Sequence, residues 1–129
     1  MPDPGLPTAV EQFLSDHIRS IEHLEVLLTV TSNPQVSWSP SEVLNRVQSS
    51  ESSVQIRLEE FVAAGLIVQD KEGYRFSPRT NELREAVEQL TRAYKERRVR
   101  VVEAIYSERR HAARDLSEAF RFRRKDKHG

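Results

Sequence analysis

The apolar residues of this chain recur at helical spacing as far as Ala64 and then, at Gly65, begin to alternate. Val54, Leu58, Phe61 and Val62 fall three and four apart, which puts them on one face of a helix. Gly65 follows as a residue free to take the left-handed conformation that stops a helix. Beyond it, Leu66-Ile67-Val68-Gln69 reads as a strand, Asp70-Lys71-Glu72-Gly73 as a turn and Tyr74-Arg75-Phe76 as the return strand, closed by Pro78. A change of period from 3.6 to 2 at a glycine requires helices and a β-hairpin to share one interior.

The rest of the chain is helical in pattern. Residues 1–7 hold three prolines and a glycine and form a loose lead-in. Thr8 is placed to cap a helix from Ala9, with Val10, Phe13, Leu14, His17 and Ile18 on one side. A break is expected near Arg19–Ser20. Ile21, Leu24, Leu27 and Leu28 then carry the stripe to Asn33-Pro34, where the proline forces its predecessor out of the α region. Val36-Ser37-Trp38 is short and extended. Ser39-Pro40-Ser41-Glu42 combines a capping box with a proline at the first helical position, and Ser49-Ser50-Glu51 opens a further helix. Asn81 is placed to cap a long final helix. Its apolar stripe of Leu83, Val87, Leu90, Tyr94, Val101 and Ile105 runs about 25 residues, interrupted at Arg97 or Arg98.

Charge divides the chain. Residues 1–108 carry 12 Lys/Arg against 17 Asp/Glu, a net of −5, and residues 109–129 carry 8 against 3, a net of +5. A cationic tail on an acidic body is an arm for anions or a solvated end; Leu116, Ala119 and Phe120 add a short helical pattern to it. The absence of cysteine excludes disulfides, thiolate metal sites and a cysteine nucleophile. The N-terminus lacks the pattern of a secretory signal, and no apolar run is long enough to span a bilayer, so a cytoplasmic location is expected. No cofactor and no metal are expected. The four histidines, His17, His23, His111 and His128, lack ligand spacing, and His17 reads as a helix-packing residue. Carboxylate pairs such as Glu59-Glu60 and Glu22/Glu25 read as helix surface. With no phosphate loop and no nucleophile elbow, the chain is expected not to be an enzyme.

The element order is helix, short strand, two helices, hairpin and long helix. With Leu58-Glu59-Glu60-Phe61-Val62-Ala63-Ala64-Gly65-Leu66-Ile67 and Ser39-Pro40-Ser41-Glu42, its middle resembles the winged-helix domains of bacterial MarR-like and related transcriptional regulators. The resemblance covers about 60 of the 129 residues. Ala93-Tyr94-Lys95-Glu96-Arg97-Arg98 and Ala104-Ile105-Tyr106 are similar to segments of small bacterial proteins held to be regulators. The implied fold is mainly α with a small β-hairpin: a winged helix-turn-helix over 20–78, preceded by a lead-in and helix over 1–19. A long helix over 79–108 and a basic tail over 109–129, partly helical or disordered, would follow.

The resemblance implies a homodimeric regulator that inserts its third helix into duplex DNA and touches the backbone with its wing. The residues carried over are Ser52, Ser53, Gln55 and Arg57, with Ile56 beside them, and Lys71 and Arg75 on the wing. Their chemistry suits the task. Glutamine pairs with adenine, arginine grips guanine through two hydrogen bonds, and serines at a helix start hold phosphate. Such regulators dimerise through terminal helices, which would assign Leu83, Val87, Leu90, Tyr94, Val101 and Ile105 to a dimer or packing seam. Against this, residues 20–78 hold 4 Lys/Arg and 8 Asp/Glu, a net of −4, where DNA affinity requires cations. Hence the alternative: an acidic winged helix that binds a protein partner, with a basic tail serving another contact.

Overall fold

A computed structural model describes residues 5–107. The elements run α1 (Thr8–His17), α2 (Ile21–Thr31), α3 (Pro40–Leu44), α4 (Glu51–Ala63), β1 (Ile67–Gln69), β2 (Tyr74–Phe76) and α5 (Asn81–Glu96). A sixth helical segment, α6, occupies 98–107, up to the last described residue. The protein is mainly helical with one small antiparallel hairpin. The basic segment 109–129 lies outside the described residues.

Local chemistry sets most of the boundaries. Ile18 takes an extended conformation after α1 and Ser20 caps α2 by accepting from the His23 N–H, so the chain breaks where Arg19–Ser20 predicted it. The capping box on α3 is complete: the Glu42 N–H donates to Ser39 Oγ at 3.1 Å and the Ser39 N–H donates to Glu42 Oε1 at 2.9 Å. Ser50 caps α4. At the other end Gly65 sits at φ +79°, and the N–H groups of Gly65 and Leu66 donate to the carbonyls of Val62 and Phe61. That paired closure leaves a left-handed residue just past the helix, where glycine meets least strain.

The hairpin has Ile67 opposite Phe76, Val68 opposite Arg75 and Gln69 opposite Tyr74. Its turn is held by Asp70, whose Oδ1 accepts from the N–H groups of Glu72 and Gly73. Trp38 bridges to the far side of β2 through two backbone bonds with Tyr74, of 2.7 and 2.8 Å. Of the extended stretch expected at 36–38, that single bridge is all that pairs. Trp38 therefore joins the hairpin to the core.

Three expectations are corrected. Pro7, not Thr8, precedes α1, and Pro7 contributes only its carbonyl to the first turn. Thr80, not Asn81, caps α5; its Oγ1 accepts from the Leu83 N–H at 3.1 Å. The long helix is two helices, because Arg97 leaves helical geometry at φ −139°, ψ 51°.

The break redirects the stripe assigned to the dimer seam. Val87, Leu90, Val101 and Ile105 are 2%, 0%, 0% and 1% exposed within a single chain, and Leu83 and Tyr94 are partly buried against the same cluster. α5 packs on α1. The segments 5–19 and 79–107 thus share one continuous core with 20–78, running from Leu6 through Leu24, Leu58 and Phe61 to Ile105. Each fully buried side chain of this size contributes about 1.5–3 kcal/mol relative to an exposed one.

Candidate nucleic-acid interface

The six residues carried over as DNA contacts lie on α4 and the hairpin, and the fold sends them in three directions. α4 buries Val54, Leu58 and Phe61. A helix residue 100° from that stripe faces a neighbouring element, and only the opposite side faces water.

Ser53 and Arg57 turn toward α2. There Glu22 gathers hydrogen bonds from Ser49 Oγ, Ser53 Oγ and, at 3.1 Å, Arg57 Nε. Arg57 Nη1 donates to Glu60 Oε1 at 2.6 Å, so its guanidinium bridges two carboxylates. Partial burial works to raise the Glu22 pKa, but the bonds from Ser49, Ser53 and Arg57 outweigh it and hold the carboxyl below its usual range. The Glu60 hydrogen bond, with the help of Glu22, keeps Arg57 more firmly charged than usual. This arginine is already neutralised twice, and a phosphate or guanine would have to displace both partners.

Gln55 turns toward the hairpin. Its Nε2 donates to Tyr74 Oη at 2.7 Å and to Glu59 Oε1 at 3.1 Å, which commits the amide to holding α4 on β2. Of the helix candidates only Ser52 faces outward. The exposed residues of α4 are Glu51, Ser52, Ile56, Glu59 and Ala63, with Ile56 at 51%. That face carries two carboxylates, one large apolar side chain and no cation.

Lys71 and Arg75 sit at the hairpin. Lys71 is exposed, and Arg75 Nε lies 3.6 Å from Asp70 Oδ2. Asp70 is held below the usual carboxylate range first by the Ser37 hydroxyl at 2.6 Å and then by the turn N–H groups. Its charge offsets part of the cation that Arg75 would offer.

In the sequence His23 reads only as a histidine without ligand spacing, and its burial is not legible there. His23 is 4% exposed, stacked on Phe61 with ring centroids 4.5 Å apart. Its Nδ1 accepts from the Arg19 N–H at 3.1 Å, which leaves the proton of the neutral ring on Nε2. Nε2 has no hydrogen-bond partner, and Glu60 Oε1 stands 3.7 Å away. Burial pushes the His23 pKa down to about 4, against the opposing pull of Glu60. The ring is thus neutral at pH 7 and the contact with Glu60 is not an ion pair. No local signal marked His23, because Phe61 and Glu60 lie almost forty positions further on in the chain.

Among the described residues no group of three or more His, Cys, Asp or Glu side chains is placed to hold a metal ion, and no helix is long and apolar enough to cross a membrane. Among the described residues an open groove lies between Gly5–Pro7 and the C-terminal half of α5, with Gln89, Arg92, Ala93 and Glu96 on its wall and Arg97 just beyond. No family model matches the chain, and no significant match is found among curated proteins or solved structures.

Proposed function

We propose that residues 20–78 form a winged helix that works as a protein-interaction module, not as a catalyst or a direct reader of duplex DNA. In it α2, α3 and α4 are the three helices and β1–β2 the wing, an assignment supported by their order and by the Trp38–Tyr74 bridge beside β2. The observation that carries the choice of partner is the outward face of α4. Glu51, Ser52, Ile56, Glu59 and Ala63 offer no positive charge, while Arg57 is tied to Glu22 and Glu60. Duplex DNA is a dense row of phosphates, and affinity for it comes largely from cations that neutralise them. A half-exposed isoleucine between carboxylates instead suits a protein surface with an apolar pocket and a basic rim. The cysteine-free sequence is compatible with a reducing compartment.

The test has two arms. The full chain is titrated with random-sequence duplex at low salt, alongside Lys71→Glu/Arg75→Glu. Capture from nuclease-treated lysate compares the native chain with Ile56→Glu. Duplex affinity unchanged by the hairpin variant, with a captured protein lost in Ile56→Glu, is the expected result. Duplex binding that collapses in the hairpin variant would sink the proposal.

A DNA-binding transcription regulator is the second reading, and one observation favours it. Arg92, Lys95, Arg97, Arg98 and Arg100 are all exposed around the α5–α6 junction, and 8 Lys/Arg follow in 109–129. In that case the cations come from the C-terminal part of the chain and α4 contributes shape alone. A steep salt dependence of duplex binding, lost on neutralising Arg92, Lys95 and Arg98, would favour it over the protein module.

A further inference from the structure

The hairpin has one paired outer edge and one open one. The N–H groups of Asp70 and Ser77 donate to the carbonyls of Gly73 and Leu66, so the hydrogen-bonded pairs of the ladder are 70 with 73, 68 with 75 and 66 with 77. Tyr74 fixes the same phase, since its N–H and C=O both turn away from β1 to Trp38. Ile67 and Gln69 are therefore the residues of β1 whose N–H and C=O point away from β2. Among the described residues no hydrogen bond reaches those two donors and two acceptors. Gln69 is exposed; Ile67 is 1% exposed, so its main-chain groups are largely shut off from water as well. Buried backbone groups are nearly always paired, and an unpaired row on a sheet edge is a template for another strand.

This edge carries none of the usual guards. Leu66-Ile67-Val68-Gln69 has no charge and no proline. Ile67 and Gln69 line a groove of about 500 Å³ whose apolar walls are Val62, Val68 and Pro78. Arg79 lines it too, beside Gly65 at the start of β1. Its N–H donates to the Gly65 carbonyl at 2.7 Å, and its Nε lies 2.9 Å from where a Cβ on Gly65 would stand. Glycine at 65 thus leaves the space this side chain occupies. Arg79 is exposed, and among the described residues no carboxylate pairs with it.

We propose that the outer edge of β1 is a strand-addition site, and that its occupant is a short extended segment of a partner protein carrying a carboxylate side chain for Arg79. Unpaired main-chain groups select an extended occupant, because a helix uses its own N–H and C=O groups internally. The apolar walls and the lone cation select its side chains. A second copy is the poorer fit. Two β1 edges laid antiparallel bring Leu66–Gln69 against itself, four residues without a carboxylate, and each Arg79 stays unpaired. The site rests on the reading of residues 20–78 as a protein-interaction module, but not on the outward face of α4, since Ile56 does not line the groove.

A display library of random segments about eight residues long, the length of an ordinary strand, is selected on the full chain, and the enriched peptides are synthesised and titrated. The expected peptides hold an acidic residue among apolar or β-branched ones, slow hydrogen exchange at the Gln69 amide, and bind Ile56→Glu unchanged. Gln69→Pro removes an N–H that the hairpin does not use, and proline is tolerated on an open edge; it should weaken binding about tenfold or more. Arg79→Glu leaves the strand untouched. It should weaken the acidic peptides about tenfold to a hundredfold and turn a fresh selection toward basic ones. A library that yields no binder, or binders indifferent to both variants, would overturn the site. Loss in Gln69→Pro without loss in Arg79→Glu would overturn the carboxylate requirement. Binders lost in Ile56→Glu alone would support the α4 face and overturn the β1 edge. A Gln69 amide already protected in the free chain would give the edge to a second copy or to another part of the same chain, and overturn the partner.

Discussion

Acid should weaken this fold through His23 before any carboxylate takes part. In the unfolded chain this histidine titrates near its ordinary value of 6.5; in the fold its pKa is about 4, first because burial against Phe61 disfavours the cation, and also because Arg57 and Arg19 repel it. Glu60 and Glu22 pull the other way without winning. A histidine with a depressed folded pKa contributes stability that is fully present above 6.5 and is lost as pH falls toward 4. The gap of about 2.5 units, at about 1.36 kcal/mol per unit, gives roughly 3 kcal/mol in total. A little under half of it is gone by pH 5.5, where most carboxylates remain ionised. Urea unfolding at 25 °C, repeated from pH 7.5 to 4.5, reads this directly as a falling midpoint. His23→Phe keeps a ring on Phe61 but cannot be protonated. It strands the Arg19 N–H, at a cost of about 1–3 kcal/mol at every pH, and should flatten the curve between 6.5 and 5. A native midpoint that stays level over that window, or a slope that persists in His23→Phe, would refute the burial of a neutral imidazole.

Three further substitutions probe the supports of the proposed module. Gly65→Ala places a side chain at φ +79° and within 3.2 Å of three Arg79 side-chain atoms; the flexible arginine yields, so thermal unfolding should show a loss of only about 1–2 kcal/mol. Gly73→Ala is worse, because its Cβ would stand 2.3 Å from the Trp38 carbonyl oxygen. Backbone must move there, and a loss above about 2 kcal/mol with disturbed Trp38 fluorescence is expected. Arg57→Met leaves Glu22 and Glu60 without their shared cation; chemical denaturation should register about 1–2 kcal/mol, while affinity for random duplex stays unchanged.

The organisation of the chain was legible wherever a cause lies within a few residues. Gly65 after Phe61-Val62, the Ser39–Glu42 box, Asp70-Lys71-Glu72-Gly73 between two alternating runs and the break at Ser20 are all local chemistry, and each stands where its residues place it. The N-caps at Pro7 and Thr80 were misplaced by one residue: Thr80 and Asn81 both offer capping side chains and only the backbone path chooses between them, while Pro7 has no capping side chain and backbone geometry alone starts α1 there. The candidate site was far less legible. Arg57 and Ser53 looked outward on a helical wheel, but Glu22 stands about thirty positions earlier in sequence and only the packing of α2 on α4 brings it beneath them. The stripe over Leu83–Ile105 likewise announced that something would cover it. Whether the cover is α1 or a twin depends on the turn at Arg97, which swings Val101 and Ile105 into the core and leaves Val99 and Tyr106 in water. Sequence by itself determined the periods, caps and turns, since these are decided by neighbours along the chain. Tertiary structure alone decided which charges are neutralised and which apolar faces stay open, since those depend on residues that meet only when the helices pack.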